Sequence, residues 1–153
     1  MGYAQPVVDF LKLDATLVSY LTGGIYIFSD AGRNGLNRLQ IPGAYDSTTG
    51  FVKPVAIVAE MDLSLDQESV SPNTGRFSVT SDVFIRIMDH GDNGYDTIAL
   101  AAARIKTLLH CKPQIIANAW QLILTKTMED RRETVLKDSC YFQQQFQVHG
   151  WIS

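Results

Sequence analysis

Two stretches of this chain alternate apolar and polar residues with a period of two, which belongs to extended strands and not to helices. In the first, Phe77, Val79, Val83, Ile85 and Ile87 point one way, and Ser78, Thr80, Asp82 and Arg86 the other. In the second, Cys140, Phe142, Phe146, Val148 and Ile152 oppose Tyr141, Gln143, Gln145, Gln147, His149 and Trp151. Strands with one apolar and one polar face favour an antiparallel sheet over a parallel sheet buried on both sides. A polar face built from three Gln, a His, a Tyr and a Trp is unusual for a free surface. It points to an interface or core role for Tyr141, His149 and Trp151.

The other elements are arranged around these strands. Pro6 to Leu21 reads as helical, with Pro at a tolerated first-turn position and Phe10, Leu13, Leu17, Val18 and Leu21 on one stripe. Asp14 can cap a second short helix, so one helix or two fit the pattern, and Gly23-Gly24 ends it. A short apolar stretch, 25–28, precedes a loop over 29–52 rich in turn formers. Order resumes with a strand at Val55 to Glu60. The polar run from Asp66 to Arg76, with Pro72 and Gly75, reads as a hairpin tip before the return strand Phe77 to Met88.

Asp89-His90-Gly91-Asp92 reads as a turn, with Asp92 or Asn93 as the cap of the next helix. That helix, Tyr95 to Leu109, places Ile98, Ala101, Ala102, Ile105, Leu108 and Leu109 on one side, and its Ala-rich run allows close docking on a sheet. Trp120 to Met128 and Cys140 to Ile152 complete the strands, joined by a charged linker at 129–133. The expected fold is α+β: an antiparallel four-stranded sheet with helices packed on one face and long polar loops. With 153 residues the chain fits a single domain, 1–153. Its expected core includes Val79, Val83, Ile85, Ile98, Ala102, Ile105, Leu109, Leu122, Leu124, Phe142 and Phe146.

Composition excludes several classes. A 46% hydrophobic, 19% charged chain can bury a core. A net charge of −3 argues against a basic nucleic-acid binder. The apolar runs fall short of the roughly 20 residues of a membrane helix, and the N-terminus carries no secretory pattern, so no membrane partner is expected. Cys111 and Cys140 do not form a disulfide framework and fit a reducing compartment. The charge is divided along the chain: residues 60–96 carry eight acids against Arg76 and Arg86, while 97–128 carry Arg104, Lys106, Lys112 and Lys126 and no acid. Two solvated faces account for this; so does an acidic surface that meets a basic one on a neighbouring copy.

Catalytic constellations are absent from the sequence: there is no nucleophile elbow, no phosphate-cradling Gly-Lys-Ser/Thr loop and no dinucleotide fingerprint. His90, His110 and His149 lie apart, and His110-Cys111 reads as a helix-end histidine beside a buried thiol. Arg131-Arg132 could grip phosphate, but Glu129, Asp130 and Glu133 neutralise the pair. No enzyme activity, cofactor or metal is expected.

The order of elements resembles the tail terminator, or tail-completion, proteins of long-tailed bacteriophages and gene-transfer particles. The matching stretches are Val8-Asp9-Phe10-Leu11, Asp14-Ala15-Thr16-Leu17-Val18, Gly24-Ile25-Tyr26 and Lys53-Pro54-Val55-Ala56-Ile57-Val58. They continue through the strand–turn–helix passage 79–109 and the closing strand with Phe142, Phe146, Val148 and Trp151. The longer 29–52 loop departs from the family pattern. The resemblance implies a structural virion protein of the tail or neck, a hexameric ring that stops tail-tube growth and joins the tail to the head connector or stopper, with double-stranded DNA passing unbound through the lumen. Candidate interface residues are Arg33, Arg38 and Tyr45 in the first loop, and Asp66, Glu68 and Arg76 in the hairpin tip. To these are added the cations Arg104, Lys106, Arg131 and Arg132. The hairpin tip is expected to face tube or lumen, and the 29–52 loop a neighbouring subunit or the head side. Two other readings compete: another neck or tube ring protein, and a small α+β domain with a ligand or catalytic pocket between the Ala-rich helix and the sheet.

The register makes one variant decisive. Ile105→Asp places an unpaired charge in the core at a cost of several kcal/mol. It should abolish soluble folded protein, and a thermal melt indistinguishable from that of the parent would refute the register.

Overall fold

Residues 2–31, 37, 39–60, 64–70, 77–90, 95–117, 119–130 and 139–152 are described by a computed structural model. The chain opens with two helices, α1 (Ala4–Lys12) and α2 (Ala15–Tyr20), broken at Asp14. Asp14 has extended backbone, and its Oδ1 accepts the Leu17 N–H at 2.8 Å, satisfying a donor that the helix start would leave orphaned. The break resets the helical phase, so the stripe expected through Leu13 and Val18 is not the buried one. Leu13 is 82% and Val18 45% exposed, whereas Leu17 and Leu21 are buried. In α1 the buried face is Ala4, Val7, Val8 and Leu11, spaced i, i+3, i+4 and i+7.

No side chain of α1's own first turn caps it. The cap arrives from the sheet instead. Glu60 Oε2 accepts the Tyr3 N–H at 2.6 Å and the Ala4 N–H at 3.2 Å, while Glu60 Oε1 accepts the Ser81 hydroxyl at 3.0 Å. A carboxylate at a helix N-terminus also opposes the positive end of the helix dipole. A Cβ at Gly2 would lie 2.5 Å from Glu60 Oε2, so any side chain there displaces the cap.

Strand β1 (Gly24–Ile27) follows, then the short helix α3 (Phe28–Ala31) and a 3-10 turn at Pro42–Ala44. Next come β2 (Val55–Glu60), β3 (Ser64–Val70), β4 (Phe77–His90), α4 (Asp96–Leu109), β5 (Ala119–Asp130) and β6 (Ser139–Ile152). The sheet runs β1-β2-β4-β6-β5, with β3 also paired to β4. The four expected strands and the Ala-rich helix are all present. The expected antiparallel four-stranded sheet is corrected on two points. β1 adds a parallel edge, pairing Gly24–Ile27 with Val55–Val58. β3 occupies part of the stretch expected as a hairpin tip, and Asp66 pairs with Ser78. Among the described residues β3 pairs with β4 alone, an edge position that suits a strand of polar sequence.

The helices cover one face. Val83, Ile85 and Ile87 of β4, Ala56 and Val58 of β2, Phe146 and Val148 of β6 and Leu122 of β5 meet α1, α2 and Ile98, Ala102, Ile105 and Leu109 of α4. Leu124 and Phe142 are partly buried against this core; Val79's side chain lies outside the described residues. The opposite face carries a second, smaller cluster: Ile41, Ala44 and Val52 pack on Val55, Ile57 and Met88. The far half of the 29–52 segment is therefore part of the folded body, contrary to its expected character as a polar loop too poor in apolar side chains to pack. Tyr45 pairs with Val52, and the Lys53 N–H donates to the Ala44 carbonyl at 2.8 Å, which lays this crossover against the sheet. The expected cap of α4 at Asp92 or Asn93 is also revised. Its N-cap is Tyr95, with no side-chain cap bond.

The cap on α1 has a measurable worth. Glu60→Ala should lower stability by about 2 kcal/mol, the scale of charge-assisted hydrogen bonds. Ser81→Ala, which leaves both N–H contacts, should cost about half that. Urea midpoints read both, and equal effects would show that the carboxylate acts on Ser81 and not on the helix.

Candidate interaction surfaces

Among the described residues, the face of the sheet away from the helices is covered at the end where Ile41, Ala44 and Val52 pack. Beyond the second cluster lie Asp82, Phe84 and Arg86 of β4, Gln143, Gln145, Gln147 and His149 of β6, and Ile123, Lys126 and Met128 of β5. Most of these are half-buried by one another, while Lys126 and Met128 are exposed. The polar face expected for the closing strand therefore exists. Directly paired side chains order it. Arg86 Nε and Nη2 donate to Gln143 Oε1 at 3.1 and 2.8 Å, and the guanidinium lies 4.7 Å from the centre of the Tyr141 ring. A cation held between an amide and a ring face is fixed in orientation, which turns a long flexible side chain into a rigid feature. At the other end, the Trp120 and His149 rings sit 6.0 Å apart.

The charge blocks read from the sequence do not become two continuous surfaces. Among the acids, Glu60 caps α1 and Asp89 is fully buried, its Oδ1 accepting the His90 N–H at 2.7 Å. Among the bases, Arg104 is bound to Asp14, with Nη2 to Oδ2 at 2.6 Å and Nε to Oδ1 at 3.2 Å. This two-point pair joins the start of α2 to α4. It lowers the Asp14 carboxyl below its ordinary range, with the Leu17 N–H adding to the effect, and raises Arg104. Lys106, two residues on, is exposed.

The remaining candidates are scattered. Tyr45 is half-buried and packed beside the second cluster. Asp66 and Glu68 lie on β3, on the other side of β4 from β6. Arg33, Arg38, Arg76, Arg131 and Arg132 fall outside the described residues. The structure brings none of the described candidates into one cluster. The residues that do form an organised patch, Arg86, Gln143 and Tyr141, were visible in the sequence only as members of alternating strands. Their cross-strand register was needed to join them.

At the end of α4, His110 Nδ1 accepts the Leu124 N–H at 2.9 Å, so the proton of the neutral ring sits on Nε2, 3.4 Å from Cys111 Sγ. Cys111 is exposed, not buried as expected; the backbone turns there through a positive φ of 56° and aims the thiol outward. Cys140 is the buried cysteine. With Nδ1 occupied and Nε2 protonated, His110 is poorly disposed to bind a metal. Among the described residues no group of three or more His, Cys, Asp and Glu could hold one. No helix among them is long and apolar enough to cross a membrane.

With this geometry in place, comparison with solved structures is informative. A chain from the virion of a native gene transfer agent particle superposes with a TM-score of 0.61 and 14% sequence identity. The match covers 97% of this chain and 94% of that one. The two share a fold. No protein-family model matches the chain, and no curated protein does.

The Asp14–Arg104 pair makes stability depend on pH. A carboxylate whose pKa is lowered on folding stabilises above its unfolded value of about 3.9 and loses that contribution as pH falls through the folded value. Asn also caps helices, so Asp14→Asn removes the charge alone. Urea midpoints of parent and variant should differ at pH 7 and begin to converge only below about pH 4, closing as pH falls through the lowered folded value. A constant gap over that range would show that the pair does not act through ionisation.

Proposed function

We propose that this chain is a structural virion protein of the tail-terminator kind, which forms a ring at the head-proximal end of a phage-like tail. It ends tube growth and joins the tube to the head connector or stopper, with DNA passing through the lumen. The observation that carries this reading is the near full-length likeness to a chain of a gene transfer agent virion. A likeness covering nearly all of both chains is one of whole fold and not of one local motif. The polar sheet face supports it further, because ordered polar groups around a few apolar side chains (Phe84, Ile123 and Met128) are suited to contact with another protein.

Ring closure requires a heterologous interface, in which two different patches of one molecule meet. The exposed Lys106 on α4 and the acids Asp66 and Glu68 on β3 lie on separate elements and supply such complementary patches. Arg33, Arg38, Tyr45, Arg76, Arg131 and Arg132 extend this assignment to the loops, with the Asp66–Arg76 stretch assigned to the tube or lumen side. Other neck rings are the alternative within the class. A tube subunit is the weaker one, because three helices of the chain pack on the sheet and a tube wall is expected to be strand-dominated.

Native mass spectrometry and negative-stain images test the reading together. Purified protein should form rings of about six subunits, and Lys106→Glu should weaken association more at low than at high salt. Arg104 is unsuitable for this test, since its reversal breaks the pair with Asp14. A monomer at every concentration and salt would refute the ring.

A further inference from the structure

Strand β5 ends the sheet, so one of its two backbone edges faces away from β6. The first half of that outer edge is covered. The Trp120 carbonyl accepts the Gln114 N–H at 3.0 Å, the Leu122 carbonyl accepts the Cys111 N–H at 2.8 Å, and the Leu124 N–H donates to His110 Nδ1 at 2.9 Å. Up to this point, therefore, the even-numbered residues face outward. A bulge then shifts the register: Leu124 pairs with Phe146 and Lys126 with Gln145, which leaves Thr125 as the extra residue. An extra residue reverses the alternation. Beyond it Lys126 and Met128 bond to β6, while Thr127 and Glu129 turn their N–H and C=O groups outward. Among the described residues these outward groups meet no hydrogen-bond partner, and residues 125–128 are exposed. An uncovered edge is a template for another strand.

The surroundings of this edge restrict what can be added to it. On its helix side an open groove of about 430 Å³ runs between α4 and the strands, with Ala99, Ala103 and Lys106 on the helix wall, Leu124 and Thr127 on β5, and Asp96 where α4 begins. A strand laid along 125–129 would direct alternate side chains toward that groove and the others to the opposite face. A lysine stands on each side: Lys106 at the groove, and Lys126 opposite Gln145 on the polar face, both exposed. A strand of opposite charge exists in the same chain. β3 carries Asp66 and Glu68 and no base, and among the described residues it pairs with β4 alone, which leaves it a second edge.

We propose that β3 of one copy adds to the outer edge of β5 of the next, over residues 125–129. This assignment rests on the ring reading above and names where its subunits join. Two different edges meet, which is the heterologous contact that a closed ring requires. Main-chain hydrogen bonds at Thr127 and Glu129 hold the added strand. The lysines select it: they repel a second β5 edge, which carries the same Lys126, and attract Asp66 and Glu68.

Amide hydrogen exchange, resolved to single residues on assembled and on dilute, dissociated protein, reads the edge directly. The Thr127 and Glu129 amides should exchange about tenfold more slowly on assembly, whereas those of Lys126 and Met128, bonded to β6, should be slow in both states. Thr127→Pro removes an outward donor, a change that edge strands tolerate. It should leave the melting temperature within a few degrees and weaken association about fivefold, the worth of one hydrogen bond. Met128→Pro, whose N–H faces β6, should instead lower the melting temperature sharply. Lys126→Glu should weaken association, and adding Asp66→Lys and Glu68→Lys to it should restore association. If Thr127→Pro does not fold, the exchange pattern and the charge swap still decide. Rings in which Thr127 and Glu129 exchange as fast as in the dissociated protein overturn the pairing and leave the ring standing. Protection without rescue by the charge swap overturns β3 as the added strand. A protected edge with rescue, in a dimer or an open chain, keeps the pairing and removes the ring. Protein that stays monomeric overturns both.

Discussion

Strand β4 hydrogen-bonds along both of its edges, and every other element is placed by that fact. Fourteen extended residues span about 45 Å, longer than either partner on one side. β2 and β3 divide that edge between them, while β6 accompanies the other from Phe77–Ile152 to His90–Ser139. β1 joins the sheet only through β2, and β5 only through β6. Register along β4 therefore determines which side chains every strand presents to the helices. A one-residue slip would carry Val83, Ile85 and Ile87 to the bare face and Arg86 into the core. The Arg86–Gln143 contact on one face and the Glu60–Ser81 contact near the middle of the strand hold against such a slip.

The two faces of the sheet are covered by different means. Helices α1, α2 and α4 bury one, with Ile98 and Ile105 facing Ile85 and Phe146 in a continuous core. The crossover from β1 to β2 covers part of the other with a small cluster of its own. Ion pairing follows the same economy of placement. Asp14 caps α2 and binds Arg104 of α4, so one carboxylate ends one helix and attaches another. Runs of like charge in the sequence are poor guides to surface potential when members such as Glu60, Asp89 and Arg104 have partners inside the fold.

The periodic elements were legible from the sequence: α4 and the strands at 55, 77, 120 and 140 emerge within a few residues of their expected limits, because each repeats its burial pattern several times. What escaped has a physical reason in each case. β1 is four residues long, too short for a period to declare itself. β3 is a polar edge strand whose stability comes from its neighbour and not from its own composition. Ile41, Ala44 and Val52 are spaced irregularly along a crossover, so their convergence depends on tertiary turns. The α1 cap comes from a carboxylate 57 positions away, although a helix start without a local Ser, Thr, Asp or Asn was itself a sign that a distant group was needed. Of the candidate site, the polar face of β6 was legible.

The position of β6 has a consequence for how the chain acquires its shape during synthesis. The last strand described lies in the interior of the sheet, between β4 and β5, so β5 has no strand to pair with until residues 139–152 are available. A nascent chain emerging from the ribosome can gather α1, α2 and the strands through β4, but the wall under α4 and the bare face both wait for the final insertion. Copies cut short by interrupted translation would thus lack the strand that joins β5 to the rest of the sheet.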